Sequence, residues 1–129
     1  MDGHTLQRLE FEKILGRLAE HASFSGGRQL ALDLLPSFDP AEVVRRQAIT
    51  AEARAFADRH GAPPLDGTRD IRSLARAAER GRTLLASELI ELRDTLSATN
   101  RTKRALSGGA GPSHWPRLAD MAATLEPCR

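Results

Sequence analysis

The sequence predicts an all-α fold: a compact bundle of five or six helices, one domain over residues 1–129. Three observations carry this. Apolar residues recur at spacings of three and four in successive segments. Val and Ile are too few for a large sheet. Asp, Pro and Gly fall where helices start and stop. At 129 residues, 40% of them hydrophobic, the chain can bury one core. It has one Trp, no Tyr and four Phe, so that core is expected from Leu, Ala, Ile and Val.

The first helix is expected from Leu6 to Ala22, with Phe11, Ile14, Leu15, Leu18 and Ala22 on one face. Ser25 can cap a second helix, and Gly26-Gly27 permits a close backbone approach at its start. Leu30, Ala31, Leu34 and Leu35 form its expected inner face, and Pro36 is its stop. The third helix has the clearest start signal: Asp39 at the N-cap, Pro40 at the first helical position and Glu42 at the third. It should reach about Arg59, with Val44, Ala48, Ala51 and Ala55 as a seam widened by Ile49, Ala53 and Phe56.

Gly61 and Pro63-Pro64 then force an extended loop. A fourth helix is expected over Asp70–Arg80, with Ile71, Leu74, Ala75 and Ala78 inward and Gly81 at C′. The fifth spans about Ala86–Leu106. Leu85, Leu89, Leu92 and Leu96 sit at i, i+4, i+7 and i+11, and the last three leucines should be buried against the first and third helices. Its polar end, Thr99–Arg104, should project beyond the core. After a Gly108–Pro112 loop, a sixth helix runs from Pro116 to Leu125, with Leu118, Met121 and Leu125 as the seam left without cover.

The net charge of +2 is too small to argue for nucleic acid, and acidic residues are interleaved throughout. Cys128 is the single cysteine, so no intrachain disulfide can form; this fits a reducing cytosol. No apolar run approaches the roughly 20 residues that span a bilayer, and Met1-Asp2-Gly3-His4 lacks the order of a signal peptide. A cytoplasmic protein without a membrane partner is expected.

The residues offer no catalytic, cofactor-binding or metal constellation. The Gly108–Gly111 stretch lacks the Gly-Lys-Ser/Thr of a phosphate loop. His4, His21, His60 and His114 have no metal-ligand spacing. The densest basic cluster is Arg101, Lys103 and Arg104, near the end of the fifth helix. Cations there favour the helix dipole, and the same cluster is the candidate contact for a nucleic-acid backbone. From these residues alone, a helical interaction module and a small nucleic-acid binder both stay open.

Taken in order, several short elements resemble the N-terminal region of the MutS family, most closely its second bacterial branch, MutS-two. They are Leu9-Glu10-Phe11-Glu12-Lys13-Ile14-Leu15, the Gly27-Arg28 turn, the Leu-rich segment ending at Pro36, and Thr50-Ala51-Glu52-Ala53. Pro64-Leu65-Asp66-Gly67, Asp70-Ile71-Arg72, Gly81 to Leu84, and Glu88-Leu89 follow. Where the family often has Ser-Pro at the start of the fifth helix, this chain has Leu85-Ala86. No Phe-x-Glu occurs, in keeping with a branch that does not read mismatches by that wedge.

The resemblance implies the N-terminal fragment of a larger dimeric ATPase, with lever and clamp helices, an ATP- and Mg-binding domain and a C-terminal Smr nuclease domain beyond it. It implies a role in recombination suppression on branched DNA or in ribosome rescue. For this segment it implies a non-catalytic core and lever role, with no cofactor of its own. Its partners would be the ATPase and clamp domains of its own chain, a second copy in a homodimer, and DNA or ribosome through the whole protein.

Overall fold

The computed structural model describes residues 9–108 and 114–126. Six helices occur among them and no strand, the all-α class expected. They are α1 (Phe11–Glu20), α2 (Ser25–Leu32), α3 (Pro40–His60), α4 (Arg72–Glu79), α5 (Ala86–Ser107) and α6 (Pro116–Ala123). The fold groups into two compact units: Met1–Pro36 with Arg69–Leu84, and Ser37–Thr68 with Leu85–Arg129.

In the first unit α1 packs on α2. The helix expected from Leu6 starts at Phe11; residues 6–8 lie outside those described. Glu10 adopts the left-handed region at φ 51°, which breaks the helical path before Phe11. The inward line is Phe11, Leu15, Ala19 and Ala22, so Ile14 and Leu18 are exposed rather than buried. Ala19 lets α2 approach where a leucine would hold it off. At α2 the N-cap is Phe24, not Ser25, and no side chain caps it. The Phe24 ring lies over the two glycines: a Cβ on Gly26 would come within 2.6 Å of it.

α2 stops at Leu32, before Pro36, and Leu30, Leu34 and Leu35 are exposed, contrary to the expected inner face. α4 is two residues shorter at its start than expected. Ile71, Leu74 and Ala77 are its half-buried residues, while Ala75 and Ala78 are exposed. Gly81 ends it at φ 82°. The Gly81 N–H donates to Ala78 O at 2.8 Å and the Arg82 N–H to Ala77 O at 3.0 Å, the paired bonds of a Schellman stop.

The second unit holds the larger core. α3 begins as expected: Asp39 accepts from the Ala41 N–H at 3.0 Å with Pro40 in the first turn. Glu42 does not reach back to close a capping box; it holds Arg45 and Arg46 instead. Gly61 at φ 80° ends the helix after about 30 Å, at ~1.5 Å per residue. The alanine seam expected on α3 is mostly exposed. Its inward line is Ile49, Glu52 and Phe56.

Phe56, Trp115 and Leu118 form the buried cluster, with Ile49 and Leu106 against it. The core expected from Leu, Ala, Ile and Val thus centres on two aromatics, Phe56, which the sequence placed on the seam of α3, and Trp115, which it did not place. Phe56 and Trp115 meet edge to face at 5.6 Å, the arrangement their quadrupoles favour. α6 packs on α5 and α3; of the seam expected to lack cover, Leu118 is buried, Leu125 half-buried and Met121 exposed, and Ala122 is buried beside it. α6 ends at Ala123, and residues 109–112 of the expected loop lie outside those described, as do Cys128 and His4.

On α5 the buried residues are Thr95, Ala98 and Thr102. Leu89 is exposed, and Leu92 and Leu96 are only half-buried. The end expected to project is the end that packs. Small side chains admit α6 and the 61–68 loop at close range, and hydroxyls satisfy carbonyls that leucine could not. The start of α5 lacks a capping side chain at Leu85. Glu88 supplies the bond, accepting from the Leu85 N–H at 2.8 Å.

Candidate functional site

Side-chain chemistry in the second unit converges where α3, α5, α6 and the 61–68 loop meet. α6 opens with Trp115 and Pro116, neither of which can cap it, so its first N–H groups need an acceptor from elsewhere. Glu52, in the middle of α3, provides one. Its Oε2 accepts from the backbone N–H of Arg117 at 2.8 Å and of Leu118 at 3.1 Å. Its Oε1 accepts from Arg117 Nη1 at 3.0 Å. A carboxylate at a helix N-terminus also meets the positive end of the helix dipole.

The loop after α3 is fixed to α5 by the same kind of contact. Thr102 Oγ1 donates to Pro64 O at 3.1 Å, and Arg101 Nη2 donates to Asp66 O at 3.0 Å. Gly67, at φ 86°, passes within reach of Asp94: a Cβ there would lie 3.8 Å from Asp94 Cβ. Lys103 Nζ donates to the carbonyl of Leu125, beyond α6. Of the basic cluster singled out in the sequence, Arg101 and Lys103 thus bind backbone carbonyls of the fold, and Arg104 is exposed. His60, at the end of α3, lies against Phe56 at 5.1 Å and Trp115 at 5.5 Å.

Sequence reasoning missed Glu52 as a helix cap. Its signal was an acid at the inward spacing between Ile49 and Phe56. It missed Thr102 as well, because a threonine in a polar stretch carries no periodic mark.

Two half-buried carboxylates are held far into the ionised form. The Arg45 and Arg46 guanidiniums hydrogen-bond Glu42 and lower its pKa from 4.5 to about 2. Arg72 does the same to Asp70, lowered from 3.8 to about 2. These are surface pairs. Asp70 borders a surface hollow of about 410 Å³ with Arg72, Ser73 and Arg76. A second hollow, of about 310 Å³, lies along Leu9, Glu10, Lys13, Ile14 and Arg17. Among the described residues no three His, Cys, Asp or Glu side chains gather as metal ligands. No helix among them is long and apolar enough to cross a membrane.

The fold and the junction define a class: an all-α segment whose described polar side chains join helices to one another and to a loop. Comparison with known proteins places it more narrowly. The chain is 39% identical over 125 residues to Endonuclease MutS2 of Symbiobacterium thermophilum, a match covering 97% of this chain and 16% of that protein. It is 40% identical over 103 residues to Endonuclease MutS2 of Acetivibrio thermocellus, covering 80% of this chain and 13% of that protein. It is 36% identical over 126 residues to Endonuclease MutS2 of a Geobacillus species, covering 97% and 16%. The chain is therefore related to the MutS2 family, over one region that spans at most 16% of the length of these relatives. No family profile and no solved structure matches it.

Proposed function

We propose that this chain is a non-catalytic helical element of a MutS2 protein, carrying movement between a nucleotide-driven ATPase and a nucleic-acid clamp. The supporting observation is the cross-bracing of the second unit. Glu52, Arg101 and Thr102 make hydrogen bonds across 35 to 66 residues of sequence. A helix that moves takes its braced neighbours with it. A junction held by apolar contact alone would let them slide. On this reading the endonuclease activity for which the relatives are named, and any binding of ATP and Mg, belong to other parts of the whole protein. So does engagement of branched DNA or the ribosome. The reading of Arg101, Lys103 and Arg104 as a phosphate contact has less support, since two of the three already serve the fold.

The test uses the full-length protein. Glu52→Ala with Thr102→Val should leave basal ATP turnover intact and weaken the change in turnover that nucleic acid induces. Equal loss of basal and induced turnover would overturn the transmission role. So would ATP hydrolysis by the 129-residue chain that survives purification controls.

A further inference from the structure

α2 is a helix that its own sequence does little to hold. It is eight residues long, below the length at which a helix persists in water unaided. Gly26 and Gly27 stand in its first turn, and glycine is a poor helix former. Its N-cap, Phe24, offers no side-chain acceptor. Arg28 lies toward the positive end of the helix dipole and Asp33 at the negative end, the reverse of what the dipole favours. No residue of α2 is buried. Its half-buried residues are Gly26, Gly27 and Ala31, so it packs on α1 with almost no side chain. α1 is built the other way: Glu12 sits in its first turn, Arg17 in its last, and Leu15 and Ala19 are buried.

The leucines around the end of α2 have the period of an extended chain. Leu30, Leu32 and Leu34 fall at every second position. Residues two apart point to opposite sides of a helix and to the same side of a strand. In the helical form no one face takes all three, and they are 74%, 44% and 39% exposed. The last turn is closed by Gln29 and Asp33. Gln29 Nε2 donates to Asp33 Oδ1 at 2.8 Å, an exposed bond, and the Asp33 N–H donates to Gln29 O at 2.9 Å.

We propose that α2 is a two-state segment. It opens as a unit, with α1 still helical, into an extended run over residues 29–35 that sets Leu30, Leu32 and Leu34 on one side. Opening gives up few contacts, and it turns leucines that share no face into one apolar edge, ~13 Å from Leu30 to Leu34 at ~3.3 Å per residue. The inference concerns the first unit alone. It is independent of the mechanical reading, which rests on the second.

Amide exchange on the 129-residue chain tests it. The amides of residues 28–33 should share one opening equilibrium, populated at least about tenfold more than that of residues 15–19 in α1. Gly27→Ala adds a Cβ that would meet Ala22 and Phe24 at 3.6 Å, an ordinary contact. It should slow exchange about fivefold through the whole of α2 and leave α1 unchanged. Ala31→Gly should speed exchange by at least about the same factor. Chemical-exchange saturation transfer on Ala31→Gly should then reveal a minor state whose Cα shifts at residues 30–34 lie on the extended side of random coil. Exchange of residues 28–33 only through global unfolding overturns the proposal. A Gly27→Ala effect confined to its immediate neighbours, the mark of end fraying, does so too. A minor state with helical or random-coil shifts, or none at all in Ala31→Gly, is equally fatal. If circular dichroism shows that Gly27→Ala has lost helix, the unaltered chain and Ala31→Gly decide.

Discussion

The two units of this chain are helical for the same local reasons, and they are held together by different means. The first buries Leu15 and Ala19 and leaves Leu30, Leu35, Ile14 and Leu9 more than half exposed. Its side-chain bonds described here, Lys13 to Glu10, Gln29 to Asp33 and Arg72 to Asp70, join residues two to four positions apart. The second buries Phe56, Trp115 and Leu118 and ties Glu52 to α6 and Thr102 to the loop over long stretches of chain. Local bonds define helices; long-range ones fix how helices are arranged. Conformational order should therefore be unequal, with the second unit the more resistant to opening.

The largest expected effect is at Phe56. Phe56→Ala should cost about 3–5 kcal/mol, and Leu15→Ala in the thinner unit about 2 kcal/mol. Urea melts followed by Trp115 fluorescence and by amide exchange in α1 would separate the two. If Leu15→Ala lowers the Trp115 midpoint as far as Phe56→Ala does, the contrast between units fails.

Next comes Glu52. Glu52→Ala leaves the Arg117 and Leu118 N–H groups without their acceptor and should cost about 1–3 kcal/mol. Glu52→Gln, which keeps an acceptor oxygen, should cost less. Faster amide exchange at Leu118 with little change in α1 is the expected signature. Thr102→Val keeps the shape and strands Pro64 O, for a loss of about 1 kcal/mol seen as a small fall in the urea midpoint.

The smallest effect is in acid, and it falls on both units alike. Glu42 in the second and Asp70 in the first have pKa values near 2, below those of the unfolded chain. Between about pH 4 and 2 the unfolded state binds more protons, so acid favours it. What these pairs contribute is present above that window and lost as pH falls through it. Carboxyl chemical shifts should place both midpoints near 2. Arg72→Ala should return Asp70 toward 3.8, while Arg45→Ala should raise Glu42 only part of the way, since Arg46 remains.

What could be read from the sequence follows the same division. The limits of α3 were legible because Asp39, Pro40 and Gly61 act within one turn of themselves. The span of α5 was legible from its period. The face of α5 that packs was not. Leucines outnumber other apolar residues on one side, yet a loop 35 to 38 residues away in sequence offers carbonyls that Arg101 and Thr102 answer. Of the core aromatics, Phe56 was legible from its spacing on α3, whereas Trp115, at the start of a short helix, carries no periodic mark and lies against it edge to face. The family pattern marked Thr50–Ala53 without giving a reason. The structure supplies one in the Glu52 carboxylate.

That carboxylate also has a bearing on the order in which the chain can acquire structure. α6 is eight residues long, too short to persist alone in water, and its N-terminal acceptor lies about 65 positions earlier. On a ribosome, α3 emerges well before Pro116 does. α6 can settle only after that earlier helix stands ready to receive it, and closing so long a loop is slow compared with forming a local turn. Glu52 thus couples the last helix of the segment to one of its first, and a chain caught before that bond forms would expose Trp115 and Leu118 together.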